Sequence, residues 1–502
     1  MSLRAVVIGG GHNGLIAALM LAQRGHSVRL FESRPNLGGV NGPWRFGEYE
    51  LPGLLHETSC LSPRVNEALN LTRNGLNWVD SPEILVPNYQ AEVIGLQGST
   101  LHGDVSASDR QSHRDWLHFL KRVKPLLERQ LSQAPPSLEL NAQDLFGLGS
   151  AGLALRLLGR PTMLELVRVL PMAVADWAAE HFESDLLRAA LAFPALFGSF
   201  VGPRAAGTAI NLLGFHALSG KAVEGGGSAL ISILEKMASD AGIAIETGSP
   251  VQEILVDGDR ATGVRVGGSQ VAADLVVASC DPAQVFLELL DPFLLKVKEA
   301  DAIRSLRSRG VVAKVHLLIE GDFELDGRPG QPVGRAFLGC NTVDDLERTM
   351  DPPKYDQFSR RPALDLWIPE ECRSEAANMV SILAYGAPFS LKGGWTSEAR
   401  QGFQEAVVDQ IESYSKGIRK RIRAAELLTP VDLAQHFNLP GGHLCHLEQA
   451  LDQFSVMRPV PFANRYSTPI AGVYLAGSGC HPGGGLTGLP GYLGASAALQ
   501  GS

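Results

Sequence analysis

The sequence Gly9-Gly10-Gly11-His12-Asn13-Gly14 decides the fold, because it lies between a short apolar run and a helical pattern. Residues 5–8 read Ala-Val-Val-Ile, which predicts a buried strand, and residues 15–21 predict the helix that follows. Glycines in such a turn let the backbone approach a diphosphate, and the helix N-terminus directs its free N–H groups at the negative charge. The segment therefore predicts the phosphate-binding turn of a dinucleotide-binding βαβ unit.

The residue at the end of the next strand tests this interpretation, since a glycine pattern alone is weak evidence. The strand predicted at residues 28–31 is followed by Glu32. A carboxylate at this place accepts hydrogen bonds from the ribose hydroxyls of adenosine and repels a 2′-phosphate. The nucleotide is therefore predicted to be FAD or NAD rather than NADP.

The loop after Glu32 favours FAD over NAD. Ser33 and Arg34 lead into a second glycine pair, Gly38-Gly39. This pair is typical of flavoproteins, in which the loop follows the ribityl and diphosphate part of the cofactor. FAD is therefore the predicted cofactor, and an ordinary βαβ unit with a glycine turn is the alternative.

Composition and charge argue against several classes of protein. The chain has 502 residues, of which 45% are hydrophobic, and a net charge of −9 without a polybasic stretch. We therefore expect a globular protein with a sizeable core and no nucleic-acid partner. The six cysteines show neither a Cys-x-x-Cys pair nor zinc-like spacing, which predicts a reducing, cytoplasmic location without a redox dithiol.

The most apolar helical region, residues 153–177, leaves the relation to membranes open. Arg156, Arg160 and Arg168 interrupt it, so it is not expected to span a bilayer. One interpretation is that the region belongs to the buried core. The other is that it contacts a membrane from one side, which would make the protein membrane-associated.

The order of predicted elements indicates a discontinuous nucleotide domain. A glycine-rich helix start at 225–228 and a strand that enters a glycine turn at 472–485 both suit that domain. We expect residues 1–84, 221–300 and 441–502 to form the FAD-binding domain, residues 85–220 a helical substrate or lid region, and residues 301–440 a substrate domain of sheet and helices. The predicted fold class is α/β, a Rossmann-type FAD-binding domain with an inserted α+β substrate domain.

These motifs resemble those of the phytoene desaturase-like FAD oxidoreductases over nearly the whole chain. The similarity is strongest to the branch with carotenoid ketolases and the pyridine nucleotide-disulphide oxidoreductase domain-containing protein 2 type. The motifs of this chain that carry the similarity to that branch lie near the C-terminus: Pro440-Gly441-Gly442-His443, Leu451-Asp452-Gln453, Met457-Arg458-Pro459 and the turn at 477–485. The resemblance implies the fold of the glutathione reductase and amine oxidase FAD superfamily.

The resemblance also implies which residues hold FAD. The first glycines would face the diphosphate, Glu32 the adenosine ribose, Gly38-Gly39 the ribityl chain and the Val251 backbone the adenine. The helix after residues 486–488 would stabilise negative charge at the pyrimidine end of the reduced flavin. The full set is Gly9, Gly11, His12, Asn13, Gly14, Glu32, Ser33, Arg34, Gly38, Gly39, Val251, Gly477, Ser478, Leu486, Thr487 and Gly488.

A flavin that works without a metal, a dithiol or a second nucleotide fingerprint is predicted to act as an oxidant. The expected reaction is dehydrogenation, desaturation or oxidation of an apolar, isoprenoid- or carotenoid-like substrate by hydride transfer to flavin N5. Oxygen or a quinone is the expected electron acceptor. The alternatives are a flavin-dependent isomerase, an oxidase of a smaller metabolite, and a flavoprotein with a structural or partner role.

Two histidines are the candidate catalytic residues. His56 follows the segment that passes the isoalloxazine ring in this family, and His481 lies in the C-terminal glycine turn. Either imidazole can hydrogen-bond or transfer a proton, and packing is the alternative for each. His443 and His446 stand three residues apart without a matching carboxylate, so no metal site is predicted.

Overall fold

A parallel sheet and a larger mixed sheet form the framework of the protein. The computed structural model describes residues 2–136, 142–374 and 376–501, and for residues 142–148 it describes the backbone alone. The strands are β1 (Arg4–Ile8), β2 (Ser27–Phe31), β3 (Trp44–Phe46), β4 (Tyr49–Leu51), β5 (Trp78–Val79), β6 (Ile84–Pro87), β7 (Val93–Gln97), β8 (Thr100–His102), β9 (Ala222–Val223), β10 (Ala244–Glu246), β11 (Val251–Asp257), β12 (Arg260–Val266), β13 (Ser269–Ala272), β14 (Leu275–Ala278), β15 (Val312–Glu320), β16 (Arg335–Leu338), β17 (Leu364–Trp367), β18 (Ala377–Tyr385), β19 (Ile422–Leu428) and β20 (Val473–Leu475). The helices are α1 (His12–Gln23), α2 (Pro63–Leu69), α3 (Ala107–Leu131), α4 (Ala142–Leu157), α5 (Arg160–Val169), α6 (Val174–His181), α7 (Asp185–Ala192), α8 (Thr208–Leu218), α9 (Gly226–Asp240), α10 (Pro282–Gln284), α11 (Val297–Arg304), α12 (Val343–Met350), α13 (Ser397–Glu412), α14 (Ile418–Arg421), α15 (Pro430–Phe437) and α16 (Leu489–Gly501).

The first sheet is parallel and has five strands in the order β10-β2-β1-β14-β20. Buried hydrophobic residues cover both of its faces. β1 is the central strand, and α1 begins directly after the glycine turn that follows it. Because ligands bind at the carboxyl ends of such strands, the sheet brings the segments after β1, β14 and β20 to one site.

The second sheet has eight strands in the order β19-β15-β18-β17-β16-β6-β7-β8, and only the β16–β6 pair is parallel. Helix α13 packs on one face through residues such as Phe403 and Val407. The helices between residues 107 and 218 cover the other face, where Phe193 stacks on Phe337 with ring centroids 4.2 Å apart. Tyr385 meets the edge of Phe193 at 5.3 Å, which closes this aromatic contact.

Residues 84–102 differ from the helical pattern expected to begin at residue 85. They form the strands β6, β7 and β8, which pair in sequence and extend the eight-stranded sheet beside β16. The β-branched and aliphatic residues at 84–86 and 93–94 favour strands, and the turn at 88–91 allows a hairpin. The first helix after β8 begins at Ala107.

Between β10 and β14, the strands β11, β12 and β13 form an antiparallel meander. The parallel nucleotide-binding sheet and the added mixed sheet confirm the predicted α/β fold class, whereas the exact domain limits stay predictions. Within the described residues, none of the helices combines the length and the apolar character needed to cross a membrane.

Candidate active site

The glycines of the first turn have different steric reasons to be glycine. Gly9 has φ +95°, and a Cβ there would lie 2.6 Å from the hydroxyl of Ser279. A Cβ on Gly14 would lie 1.9 Å from the carbonyl oxygen of Gly9, so this glycine lets α1 pack against its own turn. A Cβ on Gly11 would meet no atom within 4 Å. Gly11 therefore faces open space beside the N-terminus of α1.

The carboxylate of Glu32 holds the first glycine turn in place by hydrogen bonds. One carboxylate oxygen accepts a hydrogen bond of 2.6 Å from the N–H of Gly10, and the other accepts from the N–H of Arg34 at 2.8 Å and the hydroxyl of Ser33 at 3.2 Å. The side chain is buried. Since each carboxylate oxygen has more than one acceptor position, Glu32 keeps capacity for a ribose hydroxyl.

The second glycine loop lies directly on the first turn. The N–H of Gly38 donates to the carbonyl of Gly10 at 2.8 Å, and Gly38 has φ +101°, a conformation that favours glycine. Arg34 donates to the carbonyl of Gly39 at 3.1 Å, and its guanidinium lies 4.3 Å from the ring centre of Phe437. These contacts bring the second loop and α15 to the same end of the sheet.

Asn13 joins the N-terminal turn to the C-terminal one. Its amide donates to the hydroxyl of Ser478 at 3.2 Å, and its carbonyl oxygen accepts from the N–H of Gly491 at 3.2 Å. The N–H of Leu489 is bound by the hydroxyl of Thr487. Two N–H groups in the first turn of α16 are therefore occupied by protein acceptors, so charge stabilisation by this helix rests on its dipole more than on free donors.

Arg458 holds the C-terminal turn in place from the interior. Its guanidinium is completely buried and donates only to carbonyl oxygens, which include those of Ser478 and Cys480. The other acceptors are the carbonyls of Cys445, Leu447, Glu448 and Gln453. Burial lowers the pKa of Arg458 to about 10. The side chain is thus a cross-link between residues 445–453 and the turn at 477–480.

One cavity lies between these loops, and most of the residues predicted to hold a cofactor line it. The predicted residues in its lining are Gly9, Gly11, His12, Asn13, Glu32, Ser33, Arg34, Gly38, Gly39, Val251 and Ser478. Five segments that are far apart in sequence therefore meet around one space: residues 8–40, 250–251, 279–289, 437–446 and 478–485.

The other predicted cofactor residues lie behind the lining. Gly14 supports Gly9, as described above, and Gly477 packs against the carbonyls that follow β14. Leu486 and Thr487 are buried, and a Cβ on Gly488 would lie 2.8 Å from Ile16. These residues shape the turn next to the cavity, and their direct contacts with a cofactor stay predictions.

The chain matches the model of a known protein family. The family model described as flavin-containing amine oxidoreductase matches residues 14–363. The chain belongs to this family. It is an FAD-dependent oxidoreductase, as the sequence predicted.

Relatives match over nearly the whole length of the chain. Pyridine nucleotide-disulfide oxidoreductase domain-containing protein 2 of Mus musculus is 29% identical over 97% of this chain and 91% of its own length. The zeta-carotene-forming phytoene desaturase of Myxococcus xanthus is 26% identical over 98% of this chain and 92% of its own. A solved oxidoreductase from Methanosarcina mazei shares the fold with a TM-score of 0.62 at 16% identity, covering 99% of this chain and 100% of its own. The family and the superfamily fold predicted from the motifs are confirmed.

The residues around the cavity fit FAD. The open space beside Gly11 is where a diphosphate would approach the N-terminus of α1, and a side chain at this position would fill it. Glu32 lines the same cavity at the place expected for a ribose, and Val251 lines it at the place expected for the adenine. We therefore assign this cavity to the cofactor of the family.

His446, which was not among the residues predicted to hold the cofactor, lines the cavity. It has φ +62°, which is strained for a residue with a side chain, and its Nδ1 is buried without a hydrogen-bond partner among the described residues. His12 also lines the cavity, with Nδ1 3.1 Å from the amide of Asn41. Burial lowers the pKa of His446 to about 3 and that of His12 to about 4, so both imidazoles are neutral near pH 7.

His56 lies behind the cavity wall, and its neighbour Leu55 lines the cavity. The Nε2 atom of His56 is 2.6 Å from Nζ of Lys314, and its Nδ1 atom is 3.3 Å from the carboxylate of Asp365. Burial, with the positive charge of Lys314, lowers the pKa of His56 to about 3. A neutral His56 accepts a hydrogen bond from Lys314, which also donates to the carbonyl of Leu54 at 2.7 Å.

Arg335 completes this buried charged cluster. It forms two hydrogen bonds of 3.0 Å with Asp365 and one of 3.1 Å with Glu57. Burial moves the pKa of Lys314 well below its usual value, and Arg335 holds the pKa of Asp365 below its usual range despite burial. The cluster fixes the segment that carries Leu55, which makes His56 a positioning residue in this geometry. Its catalytic role stays a prediction.

His481 also lies outside the cavity lining. Its Nε2 atom is 3.3 Å from the carbonyl of Gln130 at the end of α3, and its own carbonyl accepts from the hydroxyl of Tyr466 at 2.9 Å. Burial lowers its pKa to about 4. The structure therefore gives His481 a contact between the C-terminal turn and the helical region, and a catalytic role stays a prediction. Cys480 beside it is buried, which raises the pKa of its thiol to about 12.

Asp281, which follows the cavity residue Cys280, provides a pH-dependent test of the site. One carboxylate oxygen accepts from the N–H of Ala283 at 2.7 Å, and the other is buried with no partner in the described part of the chain. Burial raises the pKa of Asp281 to about 7. Because this pKa is raised, the folded chain holds an extra proton between the unfolded-state pKa and about pH 7, and stability falls as pH rises through that range.

Asp281→Asn keeps the capping oxygen and removes the buried charge. We expect the variant to be about 2–4 kcal/mol more stable than the wild type at pH 8, with the difference shrinking as the pH falls toward 4. Urea unfolding at several pH values measures this. Asp291→Asn is the matched control, because Asp291 caps Phe293 in the same way at an exposed position. A pH-independent difference for Asp281→Asn would contradict the prediction.

Proposed function

We propose that this FAD-dependent oxidoreductase dehydrogenates or desaturates an apolar substrate of isoprenoid or carotenoid type. FAD, when bound, supplies the acceptor for a hydride at N5. The proposal is supported by the relatives of nearly full length that are named as phytoene desaturases. We also propose that oxygen or a quinone accepts the electrons from the reduced flavin.

The observation that carries the proposal is the apolar wall of the cavity. Away from the glycine turns, the cavity is lined by Val40, Leu55, Phe437, Leu439 and Leu444. The same residues belong to or pack on the large hydrophobic cluster between the helical region and the eight-stranded sheet. The cofactor cavity is thus bounded on this side by a water-poor interior.

The wall suits an apolar C–H donor for a physical reason. A hydrocarbon chain gains free energy when apolar surface leaves water, and polar groups on the wall would oppose its approach. The protein itself would orient the reacting carbon and exclude water, while His12 and His446 stay neutral and introduce no charge near it.

Anaerobic titration of the holoprotein tests the function. We expect a hydrophobic polyene to bleach the flavin band near ~450 nm, and oxygen or a quinone to restore it. Putrescine is the matched small, charged substrate, and dithionite reports whether the flavin can be reduced at all. Bleaching by putrescine and not by polyenes would replace the proposal with an amine oxidase. A flavin that dithionite reduces and neither compound reduces would favour an isomerase or a structural role.

A further inference from the structure

The helices α4 and α5 expose an apolar surface. Leu153 and Leu157 stand one turn apart on α4 and are 60% and 77% exposed, and Leu164 and Val167 on α5 are each 53% exposed. Pro161 is exposed between them. We call the surface formed by these five residues the α4–α5 face. Scattered single apolar residues are ordinary on a protein surface, whereas a group on consecutive helices indicates an interaction site.

The inward sides of both helices are already packed. Leu155 and Leu158 pack on the large hydrophobic cluster, and Leu166 and Val169 are buried within it. Arg122 anchors the junction from α3 by donating to the carbonyl of Leu158. The outward leucines therefore add nothing to the core, and the two helices are apolar on opposite sides. Such helices are stable when both sides are covered.

Positive charge lies within the α4–α5 face. Arg156 and Arg160 are exposed, and neither forms an ion pair with another described residue. At the border, Arg168 is bound by Glu165 at 2.8 Å and Glu180 at 2.6 Å, so its single charge offsets one of the two carboxylates. Together with Arg156 and Arg160 this leaves a local net charge of +1, on a chain whose net charge is −9.

We propose that the α4–α5 face docks this protein on the surface of an anionic lipid bilayer. The exposed leucines would enter the interface between headgroups and acyl chains, while Arg156 and Arg160 would contact lipid phosphates. The inference goes beyond the proposed function, because it does not depend on which substrate is oxidised.

Charge favours a bilayer over a second copy of this chain. In a two-fold dimer the same face meets itself, so Arg156 and Arg160 would approach the arginines of the other copy, while Glu165 and Glu180 at the border are already bound by Arg168. An anionic bilayer offers phosphate charges to both guanidinium groups and an apolar interior to the leucines. The occupant with complementary charge is therefore the lipid surface.

Flotation of the holoprotein with lipid vesicles tests the proposal. We expect binding to vesicles of phosphatidylcholine and phosphatidylglycerol, and much weaker binding to phosphatidylcholine alone or at high salt. Leu157→Asn with Leu164→Asn is expected to weaken binding about tenfold or more, and so is Arg156→Gln with Arg160→Gln. Flavin absorbance and the circular dichroism spectrum should be unchanged in both, because all four side chains are exposed.

Tyr355→Asn is the matched control, because Tyr355 is 73% exposed but lies beside Asp351 and Asp356. It should leave vesicle binding unchanged. The proposal is overturned if the wild type does not bind anionic vesicles, or if the two double variants bind them as the wild type does. A concentration-dependent dimer that Leu157→Asn with Leu164→Asn dissociates, without vesicle binding, would also overturn it and assign the face to self-association.

Discussion

Gly11→Val is expected to abolish stable FAD binding while the chain remains folded. Gly11 has φ −68° and ψ 172°, a conformation that valine adopts readily, and a Cβ there meets no protein atom within 4 Å. The added side chain would occupy the space in which the diphosphate approaches the N-terminus of α1. We expect at least about a hundredfold weaker binding, or about 2.8 kcal/mol, measured by quenching of flavin fluorescence on addition of apoprotein.

Two further glycine substitutions separate binding from folding. Gly14→Ala places a Cβ 1.9 Å from the carbonyl oxygen of Gly9, so we expect this variant to fail to fold. Gly214→Ala, on α8, adds a Cβ that meets nothing within 4 Å and should leave both folding and FAD binding unchanged. If Gly11→Val bound FAD as tightly as the wild type, the assignment of the cavity beside the glycine turn would be wrong.

Arg335→Leu is expected to destabilise the protein by about 3–5 kcal/mol at neutral pH, because it leaves a buried carboxylate without its cation. Arg335 and Asp365 are each 5% exposed and share two hydrogen bonds of 3.0 Å. Urea unfolding followed by near-ultraviolet circular dichroism reports the loss of tertiary structure. Since Arg335 keeps the pKa of Asp365 low, the loss should shrink at low pH, where Asp365 can take up a proton.

The double variant Arg335→Leu with Asp365→Leu should recover most of the lost stability, because it removes both buried charges. Arg4→Leu is the matched control. Arg4 binds Asp274 through a similar pair of hydrogen bonds but is 60% exposed, so its loss should cost far less stability than the loss of Arg335. Equal effects of Arg335→Leu and Arg4→Leu would show that burial of the cluster does not determine its energy.

The sequence by itself determined the N-terminal nucleotide-binding unit. The glycine turn, Glu32 and the pair Gly38-Gly39 lie within about one βαβ unit, and each is required by a local condition: a close backbone approach, a strand end or a positive φ. Each of these conditions restricts which residue can stand at a given position, so it can be recognised within a short stretch of sequence. The FAD prediction therefore needed no knowledge of distant contacts.

Only the tertiary structure decided which distant segments meet that unit. The bond between Asn13 and Ser478 joins residues 465 positions apart, and no periodicity predicts such a pairing. His56 and His446 show the consequence, because the structure places the first behind the cavity wall and the second in its lining. The strands at 84–102 were missed for the same reason. Short apolar segments fit a helix or a strand equally well, and here pairing with β16 decides between them.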